Sequence, residues 1–456
     1  MTTFVSIDPA TGKEIRRTES LAPDQLEQAL ARAAADFVRW RDTPIAQRAA
    51  LLAEVARQLE LGAQGHAATM SREMGKTFRE AMAEVKKCAW TARYFAEHGA
   101  EHLTDEPTPT DASKSWVRYE PMGPILAIMP WNFPFWQLFR CAVPALLAGN
   151  VVLLKHSAGT MGCAADIEAL FRKAGALRGL MQSVPLDHGQ VPQVIADPRV
   201  RAVTLTGSTR AGRAVAALCA EHLKPSVLEL GGSDPFIVMP SADFEQAVKT
   251  AVTARVQNNG QSCIAAKRFF VHEQIYPAFE AAMVRAMGAL RVGDPMDESV
   301  DLGPLASEGA RKTLQKQVDA TVAAGASCLV GGKIPSGPGW YYPATVLASV
   351  PLAGTPATDD EMFGPVASLF PVKDLDHAIE LANRSPFGLG ASVWTKEEAE
   401  AERAIRALQV GAVFVNGMVK SDARMPFGGT KDSGWGRELG WHGLHAFTVV
   451  KTVWTR

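Results

Sequence analysis

Three residues of this chain combine a reactive side chain with surroundings that would tune it. Cys263 lies in NNGQSCIAAKR, directly after a glycine-containing polar turn and before an apolar run. A thiol close to backbone donors can have a depressed pKa and act as a nucleophile, although a cysteine in a reducing compartment more often packs as a small hydrophobe. The nearest histidine in sequence, His272, falls beyond the start of the following predicted strand, so no activating partner is local. Glu229, in VLELGGSDP, is flanked by two leucines. Buried, its pKa would rise to suit a general base near neutral pH; turned to solvent, it would be an ordinary strand-end carboxylate. Asn132, in PWNFPF, is confined between prolines and aromatics. Its amide would serve as an oxyanion donor on a rigid loop, or simply cap a turn.

Other residues suggest a bound ligand. TLTGSTRAG places Gly207 and Gly212 between a strand and a helix, where missing side chains let a ligand approach the backbone at a helix N-terminus. The same glycines would also serve a turn alone, and no GxGxxG is present. Lys155 closes the strand NVVLLK, at the carboxyl end where open α/β sheets bind ligands, although a strand-end lysine can equally be solvated. In DDEMFGPV, Glu361 and Phe363 offer a carboxylate for sugar hydroxyls and a ring for stacking, or an ordinary turn.

The elements that must position these residues follow from periodicity. Ala22 to about Gly99 carries apolar residues at helical spacing and reads as consecutive amphipathic helices. From Trp116 onward, short apolar runs such as PILAIMP, NVVLLK, RAVTLTG and PSVLELGG alternate with helical segments. That alternation is the pattern of a parallel sheet covered by helices, and it restarts beyond Asp234. FTVVKTVWT near the C-terminus reads as an edge strand and a subunit contact.

Composition narrows the function classes. At roughly 150 residues per domain, 456 residues predict two or three domains. With 47 basic against 48 acidic residues, no single-sign field is available for nucleic acid or a membrane surface, so the expected partners are small molecules. No basic n-region followed by an apolar stretch opens the chain, and the apolar runs are shorter than a membrane span, which predicts a cytoplasmic protein. The six cysteines include no CxxC pair, so reduced thiols are expected and no metal site is suggested.

Taken in order, PWNFP, the Lys155 strand end, TGSTRAG, LELGG, GQSC, EMFGP and PFGGTKDSGWGRE resemble the aldehyde dehydrogenase superfamily across nearly the whole chain. The resemblance implies an α/β aldehyde dehydrogenase-like fold in three parts. A modified Rossmann domain for NAD or NADP would span 1–106 and 125–230, a catalytic α/β domain 231–428, and an oligomerising β flap 107–124 plus 429–456. A homodimer or homotetramer would follow. Cys263 would attack the aldehyde, Asn132 would stabilise the oxyanion, and Glu229 would activate water against the thioester. The cofactor would contact Met129, Pro130, Trp131, Lys155, Ser157, Ala158, Gly207, Ser208, Gly212, Leu230, Gly231, Glu361 and Phe363.

Within the superfamily the chain is most similar to short bacterial NAD(P)-dependent succinate-semialdehyde dehydrogenases. That similarity assigns Arg140, in FWQLFRCAVPA, to the substrate carboxylate, with Ser421 and Arg424 as further anchors. Gln257 stands where other enzymes of that activity have a second arginine. KHSA replaces the common KPxE, so Ala158 occupies a position that often carries an acid, and its absence would let a 2′-phosphate in. An acylating enzyme using coenzyme A would not need Glu229, and a crystallin-like structural protein would not need Cys263.

Overall fold

The computed structural model describes residues 1–456. Two large sheets organise it. One has six strands in the order Gly434–Trp435, Ser226–Glu229, Ala202–Thr206, Pro124–Ile128, Val151–Lys155 and Met181–Ser183, parallel except for the first. The other has seven, ordered Ser327–Val330, Thr345–Ala348, Val366–Val372, Arg268–His272, Pro235–Val238, Gly390–Trp394 and Ala412–Val415, again parallel but for the first. The central strands are buried on both faces, as their continuous apolar runs require.

The N-terminal fifth forms the expected helices, Pro23–Arg41, Ile45–Leu61, Ala63–Met74 and Phe78–His98. A hairpin of Thr3–Ile7 and Glu14–Glu19, which periodicity did not reveal, precedes them. No helix is long and apolar enough to cross a membrane. Thr448–Thr455 is the expected edge strand, paired with Lys114–Pro121, and Glu106–Pro107 completes that three-stranded sheet.

The segment 429–447 departs from the expected flap. Thr430–Lys431 pairs with Phe387–Gly388, and Gly434–Trp435 pairs with Ser226–Glu229, the strand that ends in Glu229. Only the last strand joins the small sheet, because the glycines around residue 434 let the backbone lie against the larger one. A Cβ on Gly434 would stand 2.0 Å from the Leu228 carbonyl oxygen, and its φ is +106°.

One helix, Trp136–Ala148, is buried at every position, with Gln137 and Arg140 among apolar neighbours. Its first turn is tied to helix Phe78–His98 by Glu84, whose Oε1 accepts the N–H groups of Phe135 and Trp136 at 2.9 Å each. Glu84 also accepts from the Lys76 ammonium, and that ammonium lies 4.1 Å from the centre of the Phe133 ring. A buried carboxylate here satisfies orphan helix N–H groups and a buried cation at once. Glu84→Ala would strand the Lys76 charge, a loss of roughly 3–5 kcal/mol, and should lower the thermal unfolding midpoint by several degrees. An unchanged midpoint by calorimetry would contradict this account.

Candidate active site

Cys263 occupies the loop between the turn Gln257–Gly260 and strand Arg268–His272. That turn holds three consecutive left-handed residues, Asn258, Asn259 and Gly260, at φ of 56°, 57° and 73°. Asparagine tolerates this region, and its side chain here supplies the bracing. Asn258 Nδ2 donates to the carbonyls of Asn132 (2.8 Å) and Gln261 (3.0 Å). Asn259 Nδ2 donates to the carbonyls of Gly75 (2.8 Å) and Pro304 (3.0 Å).

The thiol loop is further held by Lys267, which motif reading did not single out. Its buried ammonium donates to the carbonyls of Ser262 and Cys263 at 2.7 Å each and lies 3.4 Å from Glu361 Oε1. Glu361 Oε1 also accepts the Gly232 N–H at 3.1 Å. A single buried ion pair therefore couples the Cys263 loop to the loop carrying Glu361 and Phe363.

Two cavities meet at Cys263. One, of about 610 Å³ with its mouth included, is lined by Pro130, Trp131, Asn132, Gln137, Thr206, Gly207, Ser208, Leu230, Gly231, Glu361 and Phe363. Eight of the expected cofactor contacts are thus brought together. Phe363 stands edge-on to Trp131, ring centres 5.7 Å apart. Gly207 leaves bare backbone at the cavity wall, and a Cβ there would meet only Leu205 Cδ2, at an ordinary contact distance of 3.6 Å. Ser208 caps helix Thr209–Glu221 by accepting the Ala211 N–H, so the positive end of that helix borders the cavity. Bare backbone, a helix N-terminus and aromatic walls suit a dinucleotide.

The remaining expected contacts lie elsewhere. Gly212 does not line this cavity; a Cβ on it would come 2.5 Å from Leu230 Cδ2, so it permits helix-to-sheet packing. Met129 is buried, and its N–H donates to the Lys155 carbonyl at 2.9 Å. Lys155, Ser157 and Ala158 sit beyond the cavity lining at the end of strand Val151–Lys155, with Ala158 exposed. Burial lowers the Lys155 pKa. His156 joins this edge to the Asn132 loop. Its Nδ1 accepts the Ser157 N–H at 2.9 Å, so Nε2 carries the proton donated to the Pro134 carbonyl, also 2.9 Å away. Burial holds the ring neutral, with its pKa lowered to about 4.

The second cavity, about 760 Å³ including its mouth, opens on the other side of Cys263. Arg140 and Ser421 line it, as expected, together with Glu80, Glu84, Lys87, Trp136, Gln257 and Lys420. Arg140 is fully enclosed. Its Nε stands 2.7 Å from Glu438 Oε2, its guanidinium carbon lies 4.5 Å from the centre of the Phe427 ring, and Nη2 is 3.5 Å from Thr206 Oγ1. Arg424 does not reach this cavity. Asp422, two residues earlier, takes its Nε and Nη2 at 2.8 and 2.7 Å and holds it at the exposed surface.

Asn132 is buried, with Nδ2 donating to the Gln261 carbonyl at 3.1 Å and Oδ1 unpartnered. An amide nitrogen carries two protons, so a second remains for a ligand. Glu229 is buried with neither carboxyl oxygen hydrogen-bonded. Burial raises its pKa well above the ordinary range, Arg140 opposes this, and Glu438 adds to it.

The expected depression of the Cys263 pKa is not found. Burial pushes the thiol up to about 12, against the pull of Arg140 and Lys267, while Glu361 and Glu229 push it further. The thiol is therefore neutral at physiological pH. Iodoacetamide should alkylate Cys263 slowly at neutral pH, with a rate that climbs about tenfold per pH unit and reaches no plateau below pH ~10. Site-resolved mass spectrometry, with exposed Cys328 as internal comparison, checks this; a plateau near pH 7 would sink it.

Residues 1–453 match the model of the aldehyde dehydrogenase family. The chain is 49% identical over 454 residues to succinate-semialdehyde dehydrogenase [NADP(+)] of Mycobacterium leprae, covering 99% of both chains. The same identity and coverage relate it to succinate-semialdehyde dehydrogenase [NADP(+)] 1 of Mycobacterium tuberculosis. Among solved structures it superposes on succinic semialdehyde dehydrogenase from Streptococcus pyogenes in complex with NADP+, with a TM-score of 0.96, 34% identity and 99% of both chains covered. PnpE in complex with nicotinamide adenine dinucleotide superposes with a TM-score of 0.96 at 30% identity, covering 100% of this chain and 94% of that one. Motif order, a thiol between two cavities and whole-chain similarity converge: this chain belongs to the aldehyde dehydrogenase family.

Proposed function

We propose that the protein oxidises succinate semialdehyde to succinate with NADP+ or NAD+, through a thioester on Cys263. The observation that carries this reading is the position of Cys263 at the junction of a glycine- and aromatic-walled cavity with one lined by Arg140, Lys87 and Lys420. The named relatives act in the same direction.

In this reading the Cys263 thiol gives up its proton to solvent and attacks the aldehyde carbon as the thiolate, and Asn132 Nδ2 with the Cys263 N–H stabilises the oxyanion. Bound NAD(P)+ supplies the acceptor for the hydride lost from that carbon. Glu229 then takes a proton from water, which releases the acid from the thioester. Lys155, Ser157 and Ala158 receive the adenosine ribose, and the absence of an acid at Ala158 leaves room for a 2′-phosphate. Glu361 and Phe363 hold the nicotinamide end, while Arg140 and Ser421 address the substrate's far carboxylate.

The division into a cofactor domain of 1–106 and 125–230, a catalytic domain of 231–428 and a flap is part of the same proposal, with the flap narrowed to 107–124 and 448–455. A cytoplasmic homodimer or homotetramer completes it. Exposed Val449, Val450 and Trp454 on the last strand support association through that edge.

Two measurements test the proposal. Cofactor reduction followed by absorbance, with succinate semialdehyde and butyraldehyde and with each dinucleotide, should show clear preference for the carboxylated aldehyde. Equal efficiency on both would refute the substrate, and no reduction with any aldehyde would refute the activity. Glu229→Gln should acylate and then stall, leaving a thioester on Cys263 detectable as a mass increment; undiminished turnover would remove Glu229 from deacylation. Since the Glu229 pKa is raised, wild-type thioester hydrolysis should quicken as pH rises.

A further inference from the structure

Among the cations lining the substrate cavity, Lys87 is the one that is neither ion-paired nor exposed. Helix Phe78–His98 presents Glu80, Ala83, Glu84 and Lys87 to the cavity, a spacing that puts all of them on one helical face. Glu84 is committed to Lys76 and to the first turn of helix Trp136–Ala148. Glu80 accepts the Asn258 N–H at 2.6 Å and the Thr77 hydroxyl at 3.1 Å, and burial favours its neutral form. Arg140 is matched by Glu438, and Asp422 is taken by Arg424. Lys420 lines the cavity from an exposed position. Lys87 is left, half-buried, with its ammonium donating to Ser421 Oγ at 2.8 Å and lying 4.2 Å from the centre of the Trp136 ring.

We propose that Lys87 is a specificity-determining residue whose ammonium, positioned by Ser421 and Trp136, receives the terminal carboxylate of the aldehyde substrate. This rests on the reading of the substrate as succinate semialdehyde. Ser421 Oγ also accepts the Trp136 Nε1–H at 3.1 Å, so its own proton is free to point at the same carboxylate. Lys87 and Cys263 line one cavity, so a substrate held in it can meet the cation with its carboxylate and the nucleophile with its aldehyde. Arg140, already compensated, contributes direction more than net attraction.

Burial, followed by the neighbouring Arg140, lowers the Lys87 pKa to about 8, against the weaker opposing pull of Cys88, Asp422 and Glu84. The groups facing it are Arg140 from helix Trp136–Ala148, Ser421, Asp422 and Lys420 from the loop after strand Ala412–Val415, and Glu80, Glu84 and Cys88 from its own helix. Lys87 is therefore cationic below pH about 8 and loses its charge above it. The substrate carboxylate stays ionised throughout, so selectivity for it falls as pH rises through that value.

The test is the ratio of kcat/KM for succinate semialdehyde to that for butyraldehyde, which cancels thiol ionisation because both aldehydes need it. In the wild type the ratio should be high at pH ~6 and drop between pH ~7 and ~9, mainly through the KM of the carboxylated substrate. Lys87→Met should lower the ratio roughly tenfold or more at neutral pH and flatten its pH profile, the scale expected for losing a charged hydrogen bond. Lys87→Arg should restore the ratio and abolish the alkaline decline. A ratio in Lys87→Met equal to that of the wild type, or a wild-type ratio independent of pH, would overturn the role of Lys87 while leaving the proposed substrate intact. A wild-type ratio near unity would overturn the substrate and this inference together.

Discussion

The ion pair between Arg140 and Glu438 is the contact on which the arrangement around Cys263 depends. A guanidinium enclosed in the protein costs several kcal/mol in lost hydration unless an opposite charge meets it. Glu438 supplies that charge from the C-terminal segment, so this segment must fold back against helix Trp136–Ala148. The pairing of Gly434–Trp435 with Ser226–Glu229 brings it there. The strand bearing Glu229, the helix bearing Arg140 and the tail bearing Glu438 are consequently fixed by one electrostatic requirement. That is why 429–447 belongs to the body of the molecule.

Around the thiol the structure meets two opposing demands. A dry site strengthens every electrostatic interaction with a developing oxyanion, yet the same dryness disfavours the thiolate. Here dryness wins, with burial the largest influence on Cys263. Lys267 and Arg140 are the two cations that oppose it, and both are partly spoken for by acids. Glu361 faces Lys267 across 3.4 Å and also pushes the thiol pKa upward. Any ligand that draws Glu361 away from Lys267 would leave that ammonium freer to stabilise the thiolate.

Much of this was legible in the chain, for reasons that can be named. Cys263, Asn132 and Gly207 announce themselves because turn chemistry and strand-to-helix junctions are local properties, whereas Gly212 turns out to serve packing. The parallel strands were equally plain, since double burial demands continuous apolar runs. Lys267, Glu438 and Lys87 were not, because their roles depend on partners far away in sequence. Lys87 left one trace, the polar stripe of Glu80, Glu84 and Lys87 at helical spacing along a helix that is otherwise apolar on its buried side. Arg424 misled for the opposite reason: proximity in sequence to PFGG suggested a role that Asp422, two residues away, removes. The depressed thiol pKa failed because backbone donors were visible in the turn, whereas the depth of burial was not.

The two acids beside Arg140 carry the remaining consequence. One guanidinium can fully offset one carboxylate, and Glu438 lies 2.7 Å from it while Glu229 makes no ion pair with it and feels only its longer-range field. Interacting carboxyls titrate as a set, so the proton shared among them settles on the member with the poorer solvation. Glu229 is raised the more strongly of the two, by burial first and by a charged Glu438 in addition. A neutral carboxyl cannot take a proton from water. Any base function of Glu229 therefore requires its charge to be stabilised during the reaction, either by a shift toward Arg140 or by admitted water. The compensated Arg140–Glu438 pair sets the size of that requirement.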